Sequence, residues 1–273
     1  MNPKIKSFLL WLFAFLFTAA VAIYQRMTGP SYEIRGKTEI NGQKISYKLI
    51  RTYDGDDDAT IEIKVPDTTI KGYFSFRRFK SYDPWMTVPM ERSGEKLLAK
   101  VPHQPPAGKV MYHVTLFSGD KRFLLEEEPV VIRFKGKVPG WVLWPHIVII
   151  FLAMLFSTRT GLEAIFKGKY TFPYTWITLI TLFFGGLILG PAVQKYSFGV
   201  FWAGWPFGHD LTDNKSLVAF IFWVIALIVL YRKRENRLWP VIASLVLLVV
   251  FLIPHSLMGS EIDHTKQKTE IRK

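Results

Sequence analysis

Hydrophobic and polar positions divide the chain into three stretches with different periods. The first is an apolar run from Ser7 to Tyr24, preceded by Lys4 and Lys6. At about 1.5 Å of rise per residue such a run crosses most of a hydrocarbon layer about 30 Å thick, so it predicts a retained anchor helix over residues 1–27. Ala20-Val21-Ala22 also fits a small-x-small cleavage site, and a cleaved signal peptide is the alternative. The run is longer than the usual apolar core of such a peptide. Under either reading the next segment is exported.

From Tyr32 to Lys137 the period falls to two. Lys44–Ile50 and Thr60–Val65 alternate apolar and polar positions, which predicts strands with one buried face. The acidic stretch Asp54-Gly55-Asp56-Asp57-Asp58 between them reads as a hairpin tip. Further strands are predicted at Gly72–Phe79, Leu97–Val101, Val110–Phe117 and Pro129–Phe134, separated by Pro and Gly clusters. This density of short strands predicts an antiparallel β-sandwich of immunoglobulin-like type over residues 28–138.

The third stretch carries four more apolar runs, Trp141–Ser157, Phe172–Val193, Leu217–Tyr231 and Leu238–Ile253. They predict a C-terminal bundle of about four transmembrane helices over residues 139–257, followed by a polar tail over 258–273. The fold class is therefore an α+β membrane protein: an N-terminal anchor helix, an exported antiparallel β-sandwich and a helical bundle. Trp141, Trp144, Trp176 and Trp239 fall at span ends, where indole rings prefer the headgroup region. Tyr196–Gly208 is aromatic but broken by glycine and proline, which predicts an interfacial or re-entrant segment.

Composition agrees with this division. The 273 residues are 49% hydrophobic, more than one water-soluble core uses, yet 21% are charged, so the two kinds must be segregated into different solvents. Basic residues set the orientation. Arg159, Lys167 and Lys169 follow the second span, and Arg232, Lys233, Arg234 and Arg237 follow the fourth. Both turns are expected to be cytoplasmic, as is the N-terminus. The β domain, the 194–216 loop and the C-terminus are then periplasmic if the membrane is a bacterial inner membrane. The net charge of +13 is dispersed over strands, loops and tail rather than gathered in a stripe among stacking aromatics, so nucleic acid is not an expected partner. The expected partners are the lipid bilayer and a protein in or outside the membrane.

The absence of cysteine excludes disulfides, thiolate metal sites and c-type haem attachment, leaving imidazole, carboxylate and hydroxyl groups to carry chemistry. His146, His209 and His255 all fall at the outer ends of predicted spans, with Asp210, Asp213 and Glu261 close in sequence. Ionisable groups there are costly unless paired or liganded. Imidazole with carboxylate suits zinc, copper or iron, and two of the histidines could instead ligate a b-type haem covered by the Tyr196–Gly208 segment. This predicts a metal or haem site acting in redox or metal handling. The competing reading makes the same groups a hydrogen-bonded polar lid. The chain is then an accessory or scaffold subunit whose sandwich binds an exported partner, with Tyr82-Asp83-Pro84-Trp85-Met86 as the exposed patch. Whether the chain is an enzyme is left open.

Other motifs are weaker. Asp54, Asp56 and Asp58 alternate as in a calcium loop, but Ala59 and Val65 stand where Gly and Glu are needed. His103 and His113 read as structural, and no phosphate loop, dinucleotide fingerprint or nucleophile elbow is present.

Overall fold

A computed structural model describes residues 2–254 and 261–265. The chain forms two compact units: Met1–Pro30 with Val138–Gly259, and Ser31–Lys137 with Ser260–Lys273.

The helical unit begins with α1, Pro3–Thr28, whose start is fixed by Pro3 at the first position and by Asn2 Oδ1 accepting the Lys4 N–H at 2.9 Å. The remaining helices are α2 (Gly140–Ile165), α3 (Thr171–Leu182), α4 (Gly190–Phe198), α5 (Leu211–Arg232) and α6 (Leu238–Leu252). Between α3 and α4 the chain continues as a π-helix over Phe183–Leu189. Among the described residues four helices are long and apolar enough to cross a membrane: α1, α2, the continuous Thr171–Phe198 helix and α5. The fifth expected span, α6, has 15 residues and is shorter. Small residues let these helices approach: Ala153, Ala219, Ala226 and Ala243 are buried in one core with Met154, Leu182, Trp223 and Leu247. The Ser244 hydroxyl donates to Ser157 O at 3.0 Å, tying α6 to α2 opposite Gly161.

The β unit holds eleven strands among its described residues. The first sheet runs in the order β1-β2-β4-β8-β7, with β1 at Ile34–Ile40, β2 at Gln43–Leu49, β4 at Ala59–Lys64, β8 at Lys96–Val101 and β7 at Glu91–Ser93. The second runs β3-β11-β9-β5-β6, with β3 at Thr52–Tyr53, β11 at Val130–Phe134, β9 at Lys109–Ser118, β5 at Lys71–Arg78 and β6 at Met86–Pro89; β10, Lys121–Leu124, pairs with β9. Alternate residues of both sheets enter one apolar core, including Ile45, Ile61, Leu97, Phe74, Val114 and Ile132. Buried Tyr112 satisfies its hydroxyl by donating to Ile50 O at 2.8 Å.

Two details differ from the sequence reading. The tight hairpin is β1–β2, closed by Asn41 and Gly42, both with positive φ as a type I′ turn requires. The expected strands at 44–50 and 60–65 do pair, as β2 with β4, but the chain between them first crosses to the other sheet. There Thr52–Tyr53 pairs in parallel with β11. The acidic segment is thus a connection between sheets, pinned where Tyr53 Oη donates to Asp57 and where Asp58 accepts the His103 N–H at 2.8 Å.

Candidate functional site

At the start of α5 the Gly208–Lys215 stretch folds a loop onto the helix end. Asp210, rather than Thr212 or Asp213, is the N-cap, with Oδ1 accepting the Thr212 N–H at 2.8 Å. Asp213 is buried and its Oδ2 accepts the N–H groups of Ala203 at 2.6 Å and Gly204 at 3.1 Å; Asn214 Oδ1 accepts that of Trp205 at 2.6 Å. The irregular backbone of the aromatic segment is satisfied by these side chains, which is how such a chain persists without a ladder of its own. Gln194 on α4 lies beside the Asp213 carboxylate. Lys215 is also buried, and its ammonium donates to Ile253 O at 2.6 Å, capping the end of α6 where helix carbonyls lack partners.

His146 lies on α2 with Nδ1 3.0 Å from Gly185 O in the π-helix. A carbonyl only accepts, so Nδ1 carries the proton and the lone pair is on Nε2. Close packing makes this contact: a Cβ on Gly185 would stand 3.1 Å from Ile149 Cγ2 and from Ile150 Cδ1. His209 is exposed in the loop. His255 lies outside the described residues. Glu261 belongs to the β unit. Among the described residues no group of three His, Asp or Glu side chains is close enough to hold a metal ion.

The other end of the bundle holds a group the sequence reading placed differently. Arg159 is not in a turn. α2 continues past Ser157, and Arg159 inside it is 1% exposed. Its charge is met by Glu163 one turn on, with Nη1 to Oε2 at 2.6 Å, and by the rings of Trp11 and Tyr174 at 5.4 and 5.3 Å from the guanidinium. Glu163 Oε1 also accepts the Tyr170 N–H at 3.0 Å, fixing the α2–α3 turn, and a Cβ at Gly168 would collide with this carboxylate.

On the β unit the outer face of the second sheet gathers a third group. Register sets Ser75 opposite His113 and Arg77 opposite Met111. The Trp85 ring lies 5.3 Å from the His113 ring and 5.1 Å from the Arg77 guanidinium. Arg77 Nε and His113 Nδ1 are buried without a hydrogen-bond partner among the described residues. Trp85 is 39% exposed, and Tyr82, Met86 and Val88 beside it are exposed as well. Beyond them Arg78 is clamped by Asp83 through two bonds of 2.6 and 3.0 Å. The tail segment docks nearby, with the Glu261 carboxylate bridged by Lys80 and by Lys109, the latter at 2.5 Å. Burial would raise the Glu261 carboxyl, but the two ammonium groups outweigh it and hold it below the usual carboxylate range.

Fold and sites together define an α+β chain with membrane-length helices and a two-sheet polar unit. No protein-family model matches this sequence, and no curated protein matches it either.

Proposed function

We propose that this chain is a bilayer-anchored accessory protein whose immunoglobulin-like domain holds an exported protein partner on the aromatic margin of its second sheet. The observation that carries the reading is the Trp85 cluster. Trp, Tyr and Arg dominate the energetics of protein interfaces, and here Trp85, Tyr82 and Arg77 converge on a strand at the end of a sheet. That strand, β6, has one side unpaired in the sheet order, so main-chain groups are offered beside the aromatic anchors.

Strand order supports the immunoglobulin-like assignment. β2-β4-β8-β7 facing β11-β9-β5-β6 corresponds to the ABED and GFCC′ sheets of such domains. The tail supports the orientation. Four helical passes separate the β domain from the tail if α6 crosses, and an even number returns the chain to the side it left. Glu261 on Lys80 and Lys109 requires that same side, so the contact favours α6 as a span, the β domain and C-terminus on the outer face and the N-terminus in the cytoplasm. The basic residues Lys4, Lys6, Lys167 and Lys169 then face the cytoplasm, as in a bacterial inner membrane. The metal or haem reading draws no support from the described geometry, because Asp210 and Asp213 hold the loop and Glu261 is held by lysines.

Photocrosslinking in the native membrane tests the proposal. A photoreactive residue at Tyr82 or Met86 of the full chain is expected to give one adduct with an exported protein that also co-purifies with the wild type, reduced at least tenfold by Trp85→Ala. Equal adducts from Lys37 on the first sheet, or indifference to Trp85→Ala, would overturn it.

A further inference from the structure

The strands of the second sheet contain seven Lys or Arg and not one Asp or Glu. Such a face repels cations and favours an anionic partner. One carboxylate does reach it, and it comes from elsewhere in the chain: Glu261 sits between Lys80 and Lys109. Phe79 backs the seat, with the Lys109 ammonium 5.1 Å and the Lys80 ammonium 6.0 Å from its ring. The segment bearing Glu261 has no helix or strand over residues 261–263, so the seat takes its carboxylate from an extended backbone.

We infer that Lys80 and Lys109 form a carboxylate seat, filled in cis by Glu261, which an extended acidic segment of the exported partner takes over on binding. This rests on the partner-binding reading above and names the chemistry of that partner. The seat adjoins the Trp85 cluster along the chain, since Lys80 precedes the Arg78–Asp83 clamp loop that leads to Tyr82 and Trp85. The resident contact is weak enough to exchange. Lys80 and Glu261 side chains are 48% and 23% exposed, and a partly exposed pair shifts a population by about fivefold at most. Two such pairs give about thirtyfold.

The test uses the full chain in neutral detergent and a fluorescein-labelled hexaglutamate peptide, followed by fluorescence anisotropy. Glu261→Gln empties the seat and is expected to tighten peptide binding by about five- to thirtyfold. Lys80→Gln/Lys109→Gln added to that variant is expected to abolish the gain, and Lys80→Arg/Lys109→Arg to retain it. Equal binding by wild type and Glu261→Gln overturns the inference, as does a gain that survives loss of both lysines. Preference of the Glu261→Gln variant for phosphatidylglycerol vesicles over the peptide also overturns it, in favour of a lipid surface. Trp85→Ala separates the two proposals, because it removes the photocrosslink without touching the seat.

Discussion

Glu163→Gln isolates the charge of the buried pair on α2. The amide keeps the shape of the side chain and an oxygen to accept the Tyr170 N–H, so only the counter-charge of Arg159 is removed. Arg159 is 1% exposed and cannot reach water without moving. Breaking one side of a buried pair costs about 3–5 kcal/mol, whereas replacing both partners by apolar residues of similar volume is neutral or stabilising. The Trp11 and Tyr174 rings remain against the guanidinium and limit the penalty, so the lower end, about 3 kcal/mol, is expected. For a unit of this size that corresponds to a fall in Tm of about 6–12 °C. Thermal unfolding of the detergent-solubilised chain, followed by near-ultraviolet circular dichroism, reads this directly. Arg159→Leu/Glu163→Leu is expected within about 1 kcal/mol of wild type. If the single variant melts with the wild type, or the double variant falls as far as the single, the pair is not an electrostatic unit and the reasoning fails.

Asp213→Ala strands the N–H groups of Ala203 and Gly204 and is expected to cost about 1–3 kcal/mol locally, read as faster amide exchange at those residues while the α5 core keeps its protection. The hydrogen bond from Arg35 holds Glu33 down from 4.5 to about 2, helped by the charge of Lys48. A carboxylate lowered in the folded state stabilises it above the unfolded pKa and loses that contribution as pH falls from 4.5 towards 2, so Glu33→Gln should flatten the acid limb of β-unit stability; an unchanged limb would show the pair to be screened. His209→Ala, at an exposed loop position, is expected to leave Tm and metal content unchanged, and a stoichiometric metal lost with it would restore the histidine site.

The long apolar runs and the alternating strands were legible because period and length are properties of the chain alone. β1 was harder to read: Ile34-Arg-Gly-Lys-Thr-Glu-Ile40 exposes polar side chains and has few apolar ones, so its alternation is faint, although the Asn41-Gly42 signal stood at its end. Arg159 resembled the end of a span because a lone arginine would be one. The Glu163 spacing that neutralises it was in the sequence, but the stacking rings of Trp11 and Tyr174 come from helices distant along the chain. Likewise Asp213 has the residue type of a ligand, and only the folded loop shows backbone amides where a metal was expected. Lys80 and Lys109 carried no motif, since their partner lies far along the chain at Glu261.

The π-helix over Phe183–Leu189 holds one residue more than a regular α-helix would need for the same climb. That surplus acts as a phase shifter. Each residue of an α-helix turns the following chain by about 100°, so deleting one residue here would let the segment relax to ordinary winding and swing α4 by about that angle. Gln194 would leave the Asp213 carboxylate, and Gly185 O would regain a partner within its own helix and no longer need His146. Both contacts are therefore set by a count of residues two or more turns away, and insertions or deletions in this helix carry consequences that substitutions in it do not.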